Sequence, residues 1–98
     1  MANIAKVSKA LSDKNRIMIL QMLSEGETNV GTVAENLNVE ENLASHHLRV
    51  LAAVGFLKNH KKGREVFYRL NTTRLVTLFK DMSKNPAFKE ILQESLKK

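Results

Sequence analysis

The chain contains no cysteine, which excludes a disulfide framework, a thiolate metal site and a thiol redox switch. No apolar run approaches the roughly 20 residues that a membrane-spanning helix needs, and Arg74, Lys80, Asp81 and Lys84 interrupt the C-terminal apolar pattern. The first residues carry no signal-peptide hydrophobic stretch, so a soluble cytoplasmic protein without a membrane partner is expected. Catalytic signatures are also missing: there is no nucleophile elbow, glycine-rich phosphate loop, paired-acid constellation or metal cage. Repeats, low-complexity segments and linkers are absent. The 98 residues read as one domain, 1–98, whose small core gains from burial against a second copy.

What is present is positive charge, unevenly placed. The formal net charge is +6 and the pI about 9.8, which points to a polyanionic partner. Residues 1–16 carry +3, 17–55 carry −4, 56–79 carry +5 and 80–98 carry +2. Basic residues therefore cluster after the middle of the chain.

Local signals divide the chain into short elements. Ile4, Val7, Ala10 and Leu11 recur at helical spacing, and Ser12-Asp13 supplies a break with N-cap chemistry. The run 16–23 is apolar on most of its circumference, as for a central core helix, and Gly26 closes it. Thr28-Asn29 offers an N-cap for a short helix over 30–37, with Val30, Val33, Ala34 and Leu37 on one side. Asn38 suits the left-handed residue of a tight turn. Glu40 and Glu41 then open a helix that runs to Val54-Gly55, where carboxylates at the positive end of the helix dipole contribute about 0.3–1 kcal/mol. Residues 56–61 and 64–70 read as two strands around Lys62-Gly63, a β-hairpin with a basic tip. Val66, Tyr68 and Leu70 share one strand face, and Glu65, Phe67 and Arg69 the other. Asn71-Thr72 precede a helix carrying Leu75, Val76, Leu78, Phe79 and Met82. Pro86, the single proline, starts a last helix containing Phe88, Ile91, Leu92 and Leu96.

The helix after Glu40 carries the most information. Ala44, Leu48 and Leu51 fall at i, i+4 and i+7 on one side, while Asn42, Ser45, His46 and Arg49 fall at i, i+3, i+4 and i+7 on another. A polar stripe is ordinarily the solvated side of a helix, and a basic hairpin is ordinarily protection of a sheet edge. Together, small hydrogen-bonding groups plus an Arg suit base edges in a DNA major groove, and Lys58, Lys61, Lys62 and Arg64 within seven positions suit phosphates or a minor groove.

The order of elements is that of a winged helix-turn-helix domain, mainly α with a small β-hairpin (α-α-α-α-β-β-α-α). In detail the chain resembles the ArsR/SmtB family of repressors. Leu11-Ser12-Asp13-Lys14-Asn15-Arg16-Ile17-Met18-Ile19-Leu20 is similar to the family's L-x-D-x-x-R-x-x-I-L segment, and Ala44-Ser45-His46-His47-Leu48-Arg49-Val50-Leu51 to its V/A-S-H-H-L-x-x-L recognition helix. Gly55-Phe56-Leu57 and Gly63-Arg64-x-x-x-Tyr68-x-Leu70 resemble its wing. The resemblance spans roughly residues 4–83. It implies a helix-turn-helix over 28–54, a wing over 56–70, and a homodimer built from 1–12 and 72–98, with Ile4, Val7, Leu75, Leu78, Phe79 and Met82 at the interface. It further implies a palindromic double-stranded DNA operator and release by an inducer. By the same resemblance Asn42, Ser45, His46 and His47 face bases and phosphates, and Lys61, Lys62 and Arg64 form the wing tip.

The sequence departs from the family at its sensors. Asn29-Val30-Gly31-Thr32 stands where the thiolate sensor has cysteines, and Thr72, Arg74, Asn85 and Phe88 stand where the other common sensor has Asp and His. No metal site and no cofactor are expected. The inducer is open: a small organic ligand, a hard metal on carboxylates, pH through His46 and His47, or no signal. Two other readings stay open at this stage, a sequence-tolerant, chromatin-like DNA binder and a winged-helix protein-interaction scaffold whose acidic middle segment repels DNA.

Overall fold

A computed structural model describes residues 4–87 and Glu90; the side chains of Ile4 and Met82 fall outside that description, as do Phe88, Ile91, Leu92 and Leu96. The elements are α1 (Ile4–Ala10), α2 (Lys14–Ser24), β1 (Thr28–Asn29), α3 (Val30–Leu37), α4 (Glu41–Ala53), β2 (Leu57–Lys62), β3 (Glu65–Leu70) and α5 (Thr72–Ser83). No helix among the described residues is long and apolar enough to cross a membrane.

Helix starts are set by side chains that satisfy otherwise unpaired amides. The Asp13 carboxylate accepts from the Asn15 and Arg16 amides at 2.8 and 3.3 Å, and the Asn29 side chain accepts from Thr32 N at 2.8 Å. Asn38 ends α3 at φ 56° and ψ 48°, which lets Val39 N reach back to the Ala34 carbonyl at 3.0 Å. That turn swings α4 across α3. Glu40 precedes α4 with no side-chain cap bond, so the two carboxylates there act through the helix dipole rather than as caps.

The core forms where the helices cross. Ile19, Val33, Ala44, Leu48 and Leu51 are completely buried, and Phe56, Leu57 and Tyr68 seal it from the sheet side. Each large side chain of this set contributes about 1.5–3 kcal/mol by leaving water. α2 buries Ile19 and Leu23 while Ile17 is exposed, so it packs along one side rather than all around. Leaving α4, Gly55 takes φ +90°, a conformation that favours glycine, and a Cβ there would stand 2.9 Å from the Arg74 side chain, which would have to move.

β2 and β3 pair antiparallel from Leu57↔Leu70 to Lys62↔Glu65. Gly63 at φ +66° occupies the first central position of a two-residue turn, where a positive φ matches the strand twist. The hairpin is not alone: Thr28 and Asn29 pair with Tyr68 and Phe67, giving a three-stranded sheet of order β1-β3-β2. The residues expected only as a helix cap thus also bind the wing to the base of α3. The turn falls at Gly63-Arg64, so β2 runs one residue later than expected at both ends and β3 starts one residue later while ending at Leu70 as expected.

Candidate nucleic-acid interface

α4 is two-sided. Ala44, Leu48 and Leu51 are wholly buried, whereas Asn42, His46 and Arg49 are exposed and Ser45 is half-buried on the outer side. Arg49 Nη1 donates to Ser45 Oγ at 3.2 Å, so the guanidinium lies along the outer face one turn from the hydroxyl. The outer face offers an amide, a hydroxyl, an imidazole and a guanidinium, which between them can both donate and accept hydrogen bonds.

The wing tip is exposed throughout, and its cations diverge. Strand alternation puts Lys61 on the face with Asn59, Val66 and Tyr68, the side that packs on the helices. Lys62 lies on the opposite face, across from Glu65, with its ammonium 5.8 Å from the centre of the Phe67 ring. Arg64 sits in the turn. His60 stacks on Phe67 at 5.8 Å between ring centres and faces the Glu27 carboxylate at 3.8 Å. Lys58 and Arg69 pair across the strands and are both exposed, which adds Arg69, not foreseen as a site residue, to the basic outer sheet face.

His47 does not join this surface. It is 5% exposed and turns inward against the start of α2, a correction to its expected place at the DNA. Arg16 Nη1 lies 3.3 Å from His47 Nδ1; a guanidinium only donates, so Nδ1 accepts and the neutral ring carries its proton on Nε2. Nε2 faces the Asp13 carboxylate at 3.9 Å. Burial, the largest influence, lowers the His47 pKa; Asp13 pulls it up, and Arg16 and His46 push it down again, leaving it below the ordinary histidine range. For Asp13 desolvation is the largest influence and raises the pKa, but the Arg16 and Asn15 amides with the charges of His47 and Arg16 outweigh it, and the net shift is downward. The signal was present in the sequence, because 44, 47, 48 and 51 follow helical spacing along one side.

The expected dimer residues divide similarly. Val7 and Leu78 are 3% and 2% exposed within the single chain, so they are core and not available to a partner. Leu75 is half-buried, while Phe79 and its neighbour Val76 are 60% and 54% exposed. Ile4 and Met82 lie outside the described side chains. Among the described residues no three His, Cys, Asp or Glu side chains stand close enough to hold a metal ion.

The sequence profile described as a helix-turn-helix domain matches residues 11–60. The chain is 41% identical over 69 residues to the transcriptional repressor SdpR of Bacillus subtilis (strain 168), covering 70% of this chain and 77% of that one. Its fold matches the ArsR-like transcriptional regulator from Rhodococcus sp. RHA1 with a TM-score of 0.74 at 29% identity, over 95% of this chain and 88% of that one. The chain belongs to the ArsR/SmtB family. A further structure, the homodimeric winged helix-turn-helix DNA-binding domain Mb0332 from Mycobacterium bovis, matches with a TM-score of 0.67 at 28% identity, over 83% of this chain and 78% of that one. Several other curated relatives are longer, and this chain spans 58% of one of them. As an ArsR/SmtB member the chain has the winged helix-turn-helix fold, and both the outer residues of α4 and the β2-β3 tip are exposed.

Proposed function

We propose that this chain is a homodimeric, sequence-specific DNA-binding transcriptional repressor that acts in the cytoplasm without catalytic chemistry. The observation that carries the reading is the division of α4: a fully buried apolar side beside an outer side of Asn42, Ser45, His46 and Arg49. Asn42 suits adenine, Arg49 suits guanine, and Ser45 and His46 suit either donors or acceptors on neighbouring bases. Lys61 and Arg64 at the wing add phosphate contacts that set affinity and position but not sequence. The names of SdpR, a repressor, and of Mb0332, a homodimeric DNA-binding domain, support the same reading.

The exposed Val76 and Phe79 are the apolar part of the dimer face, pairing α5 with its copy. Two α4 helices in a two-fold dimer then enter successive major grooves, with half-sites about one helical turn apart and a palindromic operator. With no cysteine, the repressor works without the family's thiolate sensor, and an inducer of another kind releases it.

The test is enrichment of duplexes from a random-sequence pool by the purified chain near physiological salt, followed by competition against a scrambled duplex. A palindromic motif bound about a thousandfold more tightly than the scrambled duplex is expected. Equal binding to both identifies a sequence-tolerant binder, and no duplex binding identifies a protein-interaction scaffold.

A further inference from the structure

One side chain joins three helices. Arg16, in the first turn of α2, donates from Nε to the Ala10 carbonyl at 2.6 Å and from Nη2 to the Lys9 carbonyl at 3.0 Å, two carbonyls at the end of α1, of which that of Lys9 also accepts from Ser12 N at 3.2 Å. Its remaining arm, Nη1, reaches His47 in α4 at 3.3 Å. The fork shape of the guanidinium fixes these bonds relative to one another, so the end of α1 and the inner side of α4 are held by one rigid group. His46, on the proposed reading face, is the next residue along α4, with ring centres 5.6 Å apart.

We propose that Arg16 and His47 are positioning residues that hold the recognition helix at the angle needed for base reading, and that protonation of His47 opens this clamp and lowers operator affinity. The inference rests on the DNA-reading function proposed above. The chemistry is a change of role at one atom. In the neutral ring Nδ1 accepts from Arg16; once protonated, Nδ1 is a donor facing a donor, and the bond is replaced by repulsion between two cations. The charged groups facing the ring are Asp13 and Arg16 from α2 and His46 from its own helix. Asp13 attracts a protonated Nε2 but already accepts from two backbone amides, so opening draws the ring away from Arg16 without a new partner for the guanidinium. The folded chain favours the neutral ring, so opening begins on the acid side of an ordinary histidine, below roughly pH 6.5.

The direction is diagnostic. Positive charge gained on the exposed surface strengthens binding to any duplex alike. Protonating His47 instead removes preference for the operator. The experiment measures anisotropy of the pool-selected duplex and of its scrambled counterpart between pH 7.5 and 5.5 at constant ionic strength, with wild type, His47→Asn and Arg16→Met. Asn places an oxygen near the position of Nδ1 and accepts from Arg16 without titrating. Expected is a fall of about tenfold in the wild-type preference for operator over scrambled duplex, the low end of usual coupling between sites, with no fall in His47→Asn and a low, pH-independent preference in Arg16→Met. By reciprocity, operator binding then lowers the His47 pKa by about one unit, read by NMR of its ring protons. Circular dichroism of both variants checks that they fold. Wild-type preference that does not change with pH, or a fall that persists in His47→Asn, overturns the clamp while leaving DNA reading intact. Absence of a preferred duplex at every pH overturns the DNA-reading function itself, and the clamp with it.

Discussion

The wing makes a quantitative prediction, because its three cations do not point the same way. Lys61 lies on the helix-facing side of the sheet and Arg64 in the turn, whereas Lys62 lies on the far side, opposite Glu65 and over Phe67. A duplex seated against α4 therefore meets Lys61 and Arg64, and Lys62 only at a distance. Each neutralised phosphate contributes roughly 0.9 to the slope of log K against log salt. Lys61→Ala or Arg64→Ala should each lower the slope by about 0.9 per protomer, or about 1.8 for a symmetric dimer. Doubling the salt then weakens wild type about 3.5-fold more than either variant. Lys62→Ala should change the slope by less than half as much, because its ammonium lies over Phe67 on the sheet face turned away from the helices. Anisotropy titrations at four salt concentrations, on operator and scrambled duplexes, measure all three slopes. Equal slope losses for Lys62→Ala and Arg64→Ala would refute the argument from strand facing, and unchanged slopes in all three variants would remove the wing from the interface.

Packing and reading should separate on α4. Leu48→Ala, at a wholly buried site, should cost about 2–5 kcal/mol in urea unfolding, whereas His46→Ala should stay within about 0.5 kcal/mol yet lose about 1–3 kcal/mol of base discrimination; equal losses by His46→Ala on operator and scrambled duplexes would count against its reading role. Phe79→Ser, at a site 60% exposed in the single chain, should leave the fold intact and shift sedimentation equilibrium from dimer to monomer, and a variant that stays dimeric would place the interface elsewhere. Stability should also follow pH with a defined sign. The folded-state pKa of His47 is depressed, so the unfolded chain binds the proton more readily; its contribution is complete above roughly pH 6.5 and is lost as pH falls. Asp13 is depressed as well, and its contribution is complete above roughly pH 3.9 and is lost below it. Thermal melts should fall in two steps on acidification, with the upper step missing in His47→Asn; a melting temperature that rises between pH 7 and 5.5 would contradict the sign.

Much of this protein is local, and what is local was legible. Asp13 and Asn29 cap helices because their own carboxylate or amide reaches an amide two or three residues on, and Asn38 takes a left-handed turn because its backbone tolerates it. The apolar side of α4 follows from 3.6 residues per turn, and the faces of β3 from alternation, neither of which needs a distant partner. Family motifs carried the order of elements for the same reason, since their spacing is a property of the chain alone.

Tertiary structure decided whatever depends on which surfaces meet. His47 stands in a motif beside His46, but α2 crosses α4 at that residue, and burial against Arg16 and Asp13 converts it from a reading group into a strut. Val7 and Leu78 share helical stripes with residues expected at a dimer face, and only the packing of α1 and α5 on the rest of the chain shows that these two are consumed by the core. Thr28-Asn29 is too short to announce a strand; it becomes one because Tyr68 and Phe67 lie alongside with unpaired backbone groups. Lys61 and Lys62 are neighbours in sequence and opposites in space. The amino-acid order thus determined the elements, their caps and their faces by short-range sterics and hydrogen bonding, while the choice of which polar residues meet solvent was made by long-range packing, where one helix crossing outweighs any local pattern.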